Sequence, residues 1–332
     1  MKIGYICNQV TCVSGASNGI RMQALTWKEA LESIGHEVVL LSPWGEYDWK
    51  SFDIIHAFGF ADSISFLDRL HLRGMKIVVS PIIDTNQNKY LYRISTRWGS
   101  KKMRLSSPGY NLRSMSNCID LFLARTEYEA SYIKFGFGTS PDKVRVVPLS
   151  YRSNCVTVDY AKKEKFCFHV SSITQDRKNV MRLILAAIKY KFNLVLAGNI
   201  GTEEAFAPYK KLIDDNDNLQ FLGFISDEEL EDMYTRAKVF ALPSINEGVG
   251  LVALEAAIHG CDIVITNVGG PKEYYTESTA FFVNPYSVDD IGKTIVGAMS
   301  ETKQPALYKD VSERFNLDEC ITKLESCYND ML

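Results

Sequence analysis

Two periodicities alternate along the chain. Short apolar runs with the length of buried strands lie at residues 2–7, within 35–42, and at 53–57, 76–80, 120–124, 166–171, 194–197, 239–242, 262–266 and 280–283. Between many of them, apolar positions recur every three or four residues, the helical spacing, as at 19–33, 61–72, 180–190, 288–300 and 317–331. Strand and helix in alternation predict parallel α/β sheets. The pattern breaks once, near 150–164, where a linker ends in the charged run Lys162–Lys165. No repeat and no low-complexity tract interrupts it. Two domains are expected, 1–150 and 151–314, with a final helix at about 315–332.

The clearest chemistry sits at 239–275, VFALPSINEGVGLVALEAAIHGCDIVITNVGGPKEYY. An apolar strand ends at Pro243–Ser244, a polar loop carries Asn246, Glu247 and Gly248, and helical spacing begins near Val249 with Leu251, Leu254 and Ile258. This loop lies at the carboxyl end of a strand, where open α/β sheets bind ligands. The helix start at Gly248, Val249, Gly250 and Leu251 offers backbone N–H groups to a diphosphate. Glu247 is suited to accept hydrogen bonds from sugar hydroxyls. Glu255 needs a partner inside an apolar helix, and a ribose diol would supply it.

E-G-V-G-L-V-A-L-E, with A-L-P-S before it and V-G-G-P-K-E after it, resembles the signature of the retaining glycosyltransferases of family 4, also called group 1. The resemblance implies a GT-B fold: two Rossmann-like, doubly wound parallel-sheet domains facing across a cleft, the last helix returning to the first domain. It implies transfer of a sugar from a nucleotide diphosphate sugar to a hydroxyl on a carbohydrate, lipid-linked or protein acceptor, with retention of configuration and no cofactor. S-G-A-S-N-G-I-R resembles the family's glycine loop, so Asn18 and Gly19 are expected near the donor phosphates. Lys178 stands where the family places a lysine that grips the diphosphate. The usual arginine five positions earlier is Ile173, and Arg177 is the substitute. The family's histidine past the fourth strand is missing from S-P-I-I-D-T; Asp84 and His56 are the two polar replacements. Gly223–Ile225 aligns with the base-contacting loop. Two rival readings stay open: a sugar-nucleotide epimerase of the same fold, and a silent sugar-nucleotide-binding subunit.

Composition narrows this only slightly. A net charge of −3 over 332 residues, with 46% hydrophobic content, fits a soluble globular protein and argues against nucleic acid as a partner. No apolar run has the length of a membrane span, and the N-terminus reads as a strand rather than a signal peptide, so a cytoplasmic protein is expected. The eight cysteines form no C-x-x-C and read as reduced thiols. No D-x-D follows a strand in the first half, so no metal site is expected; the DDND at 214–217 reads as a helix-end turn. Residues 85–119 contain no acid but carry Lys89, Arg93, Arg97, Lys101, Lys102, Arg104 and Arg113 among Tyr90, Tyr92, Trp98 and Tyr110. That stretch is either a solvated face or, over 85–113, a surface for peripheral contact with anionic headgroups or a lipid-diphosphate acceptor at the inner face of a membrane. Thr126 and Ser226, each followed three residues on by Glu, predict capping boxes.

Overall fold

The computed structural model describes residues 1–7, 19–42, 44–59, 67–99, 107–152 and 156–332. The chain divides into two units, Met1–Leu149 with Leu317–Leu332, and Ser150–Asn316.

The first unit holds a six-stranded parallel sheet of β1 (Lys2–Cys7), β2 (Glu37–Leu40), β3 (Ile54–Phe58), β4 (Lys76–Ser80), β5 (Leu121–Ala124) and β6 (Val144–Val146), in the order β2-β1-β3-β4-β5-β6. All five residues of β3 are buried, so the strand is covered on both faces and shows no inside–outside alternation. Its core joins Ile55, Ile77, Val79 and Phe122 of the sheet to Leu112, Ala130, Ile133 and Phe137 outside it. The helix Leu317–Asn329 closes this unit. Its Tyr328 hydroxyl lies 2.7 Å from His56 Nδ1 and 3.2 Å from the Tyr5 hydroxyl, and Glu325 meets His36 Nε2 at 2.8 Å.

The second unit holds β7 (Glu164–Val170), β8 (Leu194–Ala197), β9 (Leu219–Phe221), β10 (Ala237–Leu242), β11 (Asp262–Thr266) and β12 (Phe281–Val283), also all parallel, in the order β12-β11-β10-β7-β8-β9. The helix Val180–Tyr190 packs Leu183 and Ala187, and the helix Val288–Ala298 packs Ile291 and Ile295, into a core with Val239, Ala241 and Val264. Strand order reverses between β7 and β10, which opens a crevice beyond their carboxyl ends.

Local signals held where nothing distant competed. Ser226 and Glu229 form the full capping box. Thr126 and Glu129 form half of one: Thr126 Oγ1 accepts from Glu129 N at 3.0 Å, but the Glu129 carboxylate accepts from Ile83 N at 2.6 Å and Arg125 N at 2.9 Å. The buried Arg125 and the β4 loop claim the carboxylate. In the basic stretch one helix runs over Lys89–Ser95 and a second over Pro108–Ser114; Lys101, Lys102 and Arg104 lie outside the described residues. Among the described residues no helix is long and apolar enough to cross a membrane.

Candidate functional site

The crevice at the β7/β10 reversal brings together residues nearly seventy positions apart. The loop after β7 ends in a single 3-10 turn, Asp176–Lys178, and the loop after β10 runs from Pro243 to Gly250. Lys178 Nζ donates to Glu247 Oε2 at 2.8 Å, and Ser244 Oγ donates to the same oxygen at 3.0 Å. Glu247 is 7% exposed and the Lys178 side chain 14%, so the pair is largely desolvated yet reachable. Arg177 is anchored through its carbonyl, which accepts from Ile245 N at 2.8 Å, and through Nε, which donates to Gln175 Oε1 at 3.1 Å. Its Nη1 is enclosed with no hydrogen-bond partner. The Tyr275 hydroxyl is likewise buried without a partner, and burial followed by the charges of Tyr274 and Glu247 holds its pKa well above the ordinary value. A buried donor with nothing to donate to costs roughly 1–3 kcal/mol, a cost that a bound acceptor removes.

Three supports that the sequence did not announce fix this pair. Asn179, buried at φ 61°, donates through Nδ2 to the carbonyls of Pro243 at 2.9 Å and Pro285 at 2.6 Å. Asparagine tolerates this left-handed conformation better than most side chains do. Gly269, at φ 88°, lies so close to the Glu247 carbonyl that a Cβ would stand 2.5 Å from that oxygen, and Gly270 N donates to it at 3.3 Å. Beneath the pair, His169 Nδ1 donates to the Ala241 carbonyl at 2.7 Å, so in the neutral ring Nε2 accepts from Ser171 Oγ at 2.7 Å. Burial lowers the His169 pKa to about 4 and keeps the ring neutral.

The helix Leu251–Ile258 starts at Gly250, φ 80°, with no side-chain cap. Glu247, Gly248, Val249, Gly250 and Leu251 are thus gathered at one uncapped helix start beside Lys178 and Arg177. Glu255, 1% exposed, does find a protein partner: Arg152 Nε donates to its Oε1 at 2.5 Å. The nearby Tyr234 hydroxyl is buried, and desolvation followed by the Glu255 charge raises its pKa well above the usual value.

Asn18 lies outside the described residues, and Gly19 opens the helix Gly19–Ser33. His56 is wholly buried between Tyr328 and Ser80 Oγ (2.8 Å from Nε2), and burial lowers its pKa to about 3. It is a core histidine, because the helix Leu317–Asn329 covers it. Asp84 is partly exposed and accepts from Arg125 Nη2 at 2.8 Å, while Arg125 Nε also donates to Glu129 at 2.8 Å. Ile82 just before it stands at φ 60°, a strained conformation for a β-branched residue that costs about 1–3 kcal/mol. Among the described residues, no cluster of three or more His, Cys, Asp or Glu side chains is placed to hold a metal ion.

Comparison with known proteins bears on this arrangement. Residues 158–314 match the family model of glycosyl transferases group 1. An uncharacterized glycosyltransferase of Methanocaldococcus jannaschii is 26% identical over 215 residues, 58% of this chain and 55% of that protein. The O-antigen chain mannosyltransferase B of Escherichia coli is 26% identical over 167 residues, 46% of this chain and 43% of that one. The chain therefore spans about half the length of these curated relatives. Among solved structures, the sucrose-phosphate synthase of Thermosynechococcus elongatus superposes with a TM-score of 0.78 at 16% identity, over 99% of this chain and 98% of that one. HepE of Anabaena, solved in complex with UDP, gives 0.75 at 16% identity over 99% and 100%. Residues 158–314 thus match the group 1 glycosyltransferase model, and the two six-stranded parallel sheets have the GT-B fold of these glycosyltransferase structures.

Proposed function

We propose that this chain is a retaining glycosyltransferase of family 4 that moves a sugar from a nucleoside diphosphate sugar to a hydroxyl acceptor. The observation that carries the reading is the Lys178–Glu247 pair at the β7/β10 reversal, flanked by an unpartnered Arg177 Nη1 and an uncapped helix start. Cations and oriented N–H groups converge where a diphosphate would lie, and a desolvated carboxylate stands beside them. Binding of UDP by HepE, at the fold level, is consistent with a nucleotide donor.

In this reading Lys178, Arg177 and the backbone of Gly248–Leu251 hold the leaving diphosphate and stabilise the charge that grows on it as the glycosidic bond breaks. Glu247 holds sugar hydroxyls and faces the positive charge that develops at the anomeric carbon. Its bonds to Lys178 and Ser244 hold it in place. A donor phosphate oxygen takes the acceptor proton on the same face, so no protein nucleophile is required. Glu255 holds the ribose diol, exchanging its bond to Arg152 for bonds to two hydroxyls. Gly19, at the start of its helix, serves the donor phosphates with Asn18. Asp84, held by Arg125, orients the acceptor, which is a carbohydrate, lipid-linked or protein hydroxyl.

A thermal-shift screen of nucleoside diphosphate sugars tests the reading. The right donor at 100 times its Kd stabilises the fold by about 2.7 kcal/mol, and turnover then requires an added acceptor. Turnover of the donor into an isomeric nucleotide sugar without acceptor would mean epimerisation. Binding with neither reaction would mean a silent subunit.

A further inference from the structure

Glu255 stands in a helix whose residues from Ala253 to Ile258 are all buried, and the cation that pairs with it comes from outside that helix. Arg152 belongs to the segment that enters the second unit at Ser150, ahead of β7. Its Nε donates to Glu255 Oε1, a single bond rather than the two-bond fork of which an arginine is capable. The Arg152 side chain is 29% exposed and that of Glu255 only 2%. The carboxylate is therefore enclosed while the cation is not. Arg125 in the first unit is built differently: its side chain is 9% exposed, with Nε on Glu129 and Nη2 on Asp84.

Two neighbours make the Arg152–Glu255 pair exchangeable. Asp227 is exposed at the start of the helix Asp227–Arg236, and its charge acts on Arg152. Burial lowers the Arg152 pKa, but the bond to Glu255, the Glu255 charge and then the Asp227 charge outweigh it and raise the pKa. An arginine released from Glu255 thus keeps an acid close by. The Tyr234 hydroxyl, buried near Glu255, makes no hydrogen bond. A buried carboxylate that gives up its cation needs donors in exchange, and an unmet hydroxyl beside it is one. A ribose diol supplies two more.

We infer that Arg152 is a displaceable competitor for Glu255: it neutralises the carboxylate in the absence of nucleotide, leaves when a ribose diol takes its place, and returns as the nucleotide departs. The inference rests on the reading of Glu255 as the ribose-holding group. Binding then succeeds only in the fraction of chains whose Glu255 is free, so the contact weakens nucleotide affinity by that fraction and favours release of the spent diphosphate.

Calorimetry with UDP, GDP, ADP and inorganic pyrophosphate tests it, because pyrophosphate carries the diphosphate without the diol. Arg152→Ala lowers the Tm of the free chain, since it leaves a buried carboxylate unpaired. It nevertheless tightens the nucleoside diphosphate that binds by roughly tenfold, and leaves pyrophosphate as it was. Arg152→Gln keeps a neutral donor, disturbs the fold less, and tightens the nucleotide roughly threefold. Tyr234→Phe acts in the opposite direction and weakens it roughly threefold. A pair that merely braces the fold would lower Tm without tightening any ligand. In arginine side-chain NMR spectra the Arg152 Nε–H signal, assigned by its loss in Arg152→Gln, is protected from solvent exchange in the free chain. Nucleotide removes that protection and pyrophosphate does not. Nucleoside diphosphate affinity that both Arg152 variants leave unchanged or weaken overturns the inference and leaves the donor reading standing. Equal tightening of pyrophosphate also overturns it, because the gain would not depend on the diol. If neither the wild type nor the Arg152 variants bind any of the three nucleoside diphosphates, the donor reading fails together with the inference.

Discussion

Two of the ion pairs that stand beyond strand carboxyl ends differ in what surrounds them. In the first unit Arg125 binds Asp84 and Glu129, and Glu129 also takes the N–H groups of Ile83 and Arg125, so both oxygens of that carboxylate are used. In the second unit Lys178 binds Glu247, and around them Arg177 Nη1 and the Tyr275 hydroxyl have nothing to bond. The first arrangement uses its carboxylate in full and holds a strained turn at Ile82. The second leaves two buried donors open. Ion pairing alone therefore does not mark a site.

Acid should expose the buried polar groups of both units, with the largest effect. His56 and His169 are neutral in the fold, with pKa values of about 3 and about 4. Unfolding lets each take up a proton below its free value of roughly 6.5, so the unfolded state binds more protons and stability falls as pH drops through that window. The slope is at most about 1.4 kcal/mol per pH unit for each ring, ending near pH 4 for His169 and near pH 3 for His56. Chemical denaturation across this range measures it, and His56→Gln and His169→Gln each remove one share. A flat profile in the wild type would mean that neither ring is desolvated.

Breaking the complete pair comes next. Glu129→Ala leaves the buried Arg125 guanidinium with Asp84 alone and the N–H groups of Ile83 and Arg125 without their acceptor, and should cost about 3–5 kcal/mol of stability, read from urea denaturation. Breaking the open pair should spare the fold and remove chemistry. Glu247→Gln should lower kcat by about a hundred- to a thousandfold, roughly 2.7–4 kcal/mol at the transition state, while affinity for the free nucleoside diphosphate stays nearly unchanged. Should Glu247→Gln instead unfold the protein and Glu129→Ala leave it intact, the comparison is backwards.

Glu255→Gln separates binding from chemistry. Losing a charge-assisted bond of roughly 1.5–3 kcal/mol should weaken the free nucleoside diphosphate about 10- to 100-fold by calorimetry, with kcat at saturation little changed. The smallest effect is expected from chelation. Lys178 and Arg177 supply the countercharge at the diphosphate in the proposed reaction, so EDTA should leave the rate as it is. Loss with EDTA and recovery with magnesium or manganese would remove that role from the two side chains.

Sequence pattern reached the parts that are written locally. The Val180–Tyr190 helix and the loop carrying Glu247 follow from periodicity and strand ends, and the helix expected from near Val249 begins at Leu251. What it missed depends on distance. Arg152 meets Glu255 from 103 positions away, and nothing near either residue signals the other. His56 was legible as a strand residue, but β3 is buried on both faces, so alternation could not say whether the ring pointed to a ligand or to Tyr328. The Thr126–Glu129 box failed by half because Ile83 N and Arg125 outbid the local backbone for the carboxylate. Arg177 was legible as a substitute for the missing arginine only through position; its unmet Nη1 emerges from packing.

The Asn179 amide has a consequence for anyone recombining this domain with its relatives. It ties the loop carrying Lys178 to Pro243 at the start of the Glu247 loop and to Pro285 after β12. Three loops that look like independent cassettes share one fastener. A graft that replaces 243–250 alone must return the Pro243 carbonyl to within reach of that amide, and a graft that moves Asn179 must bring all three loops from the same parent.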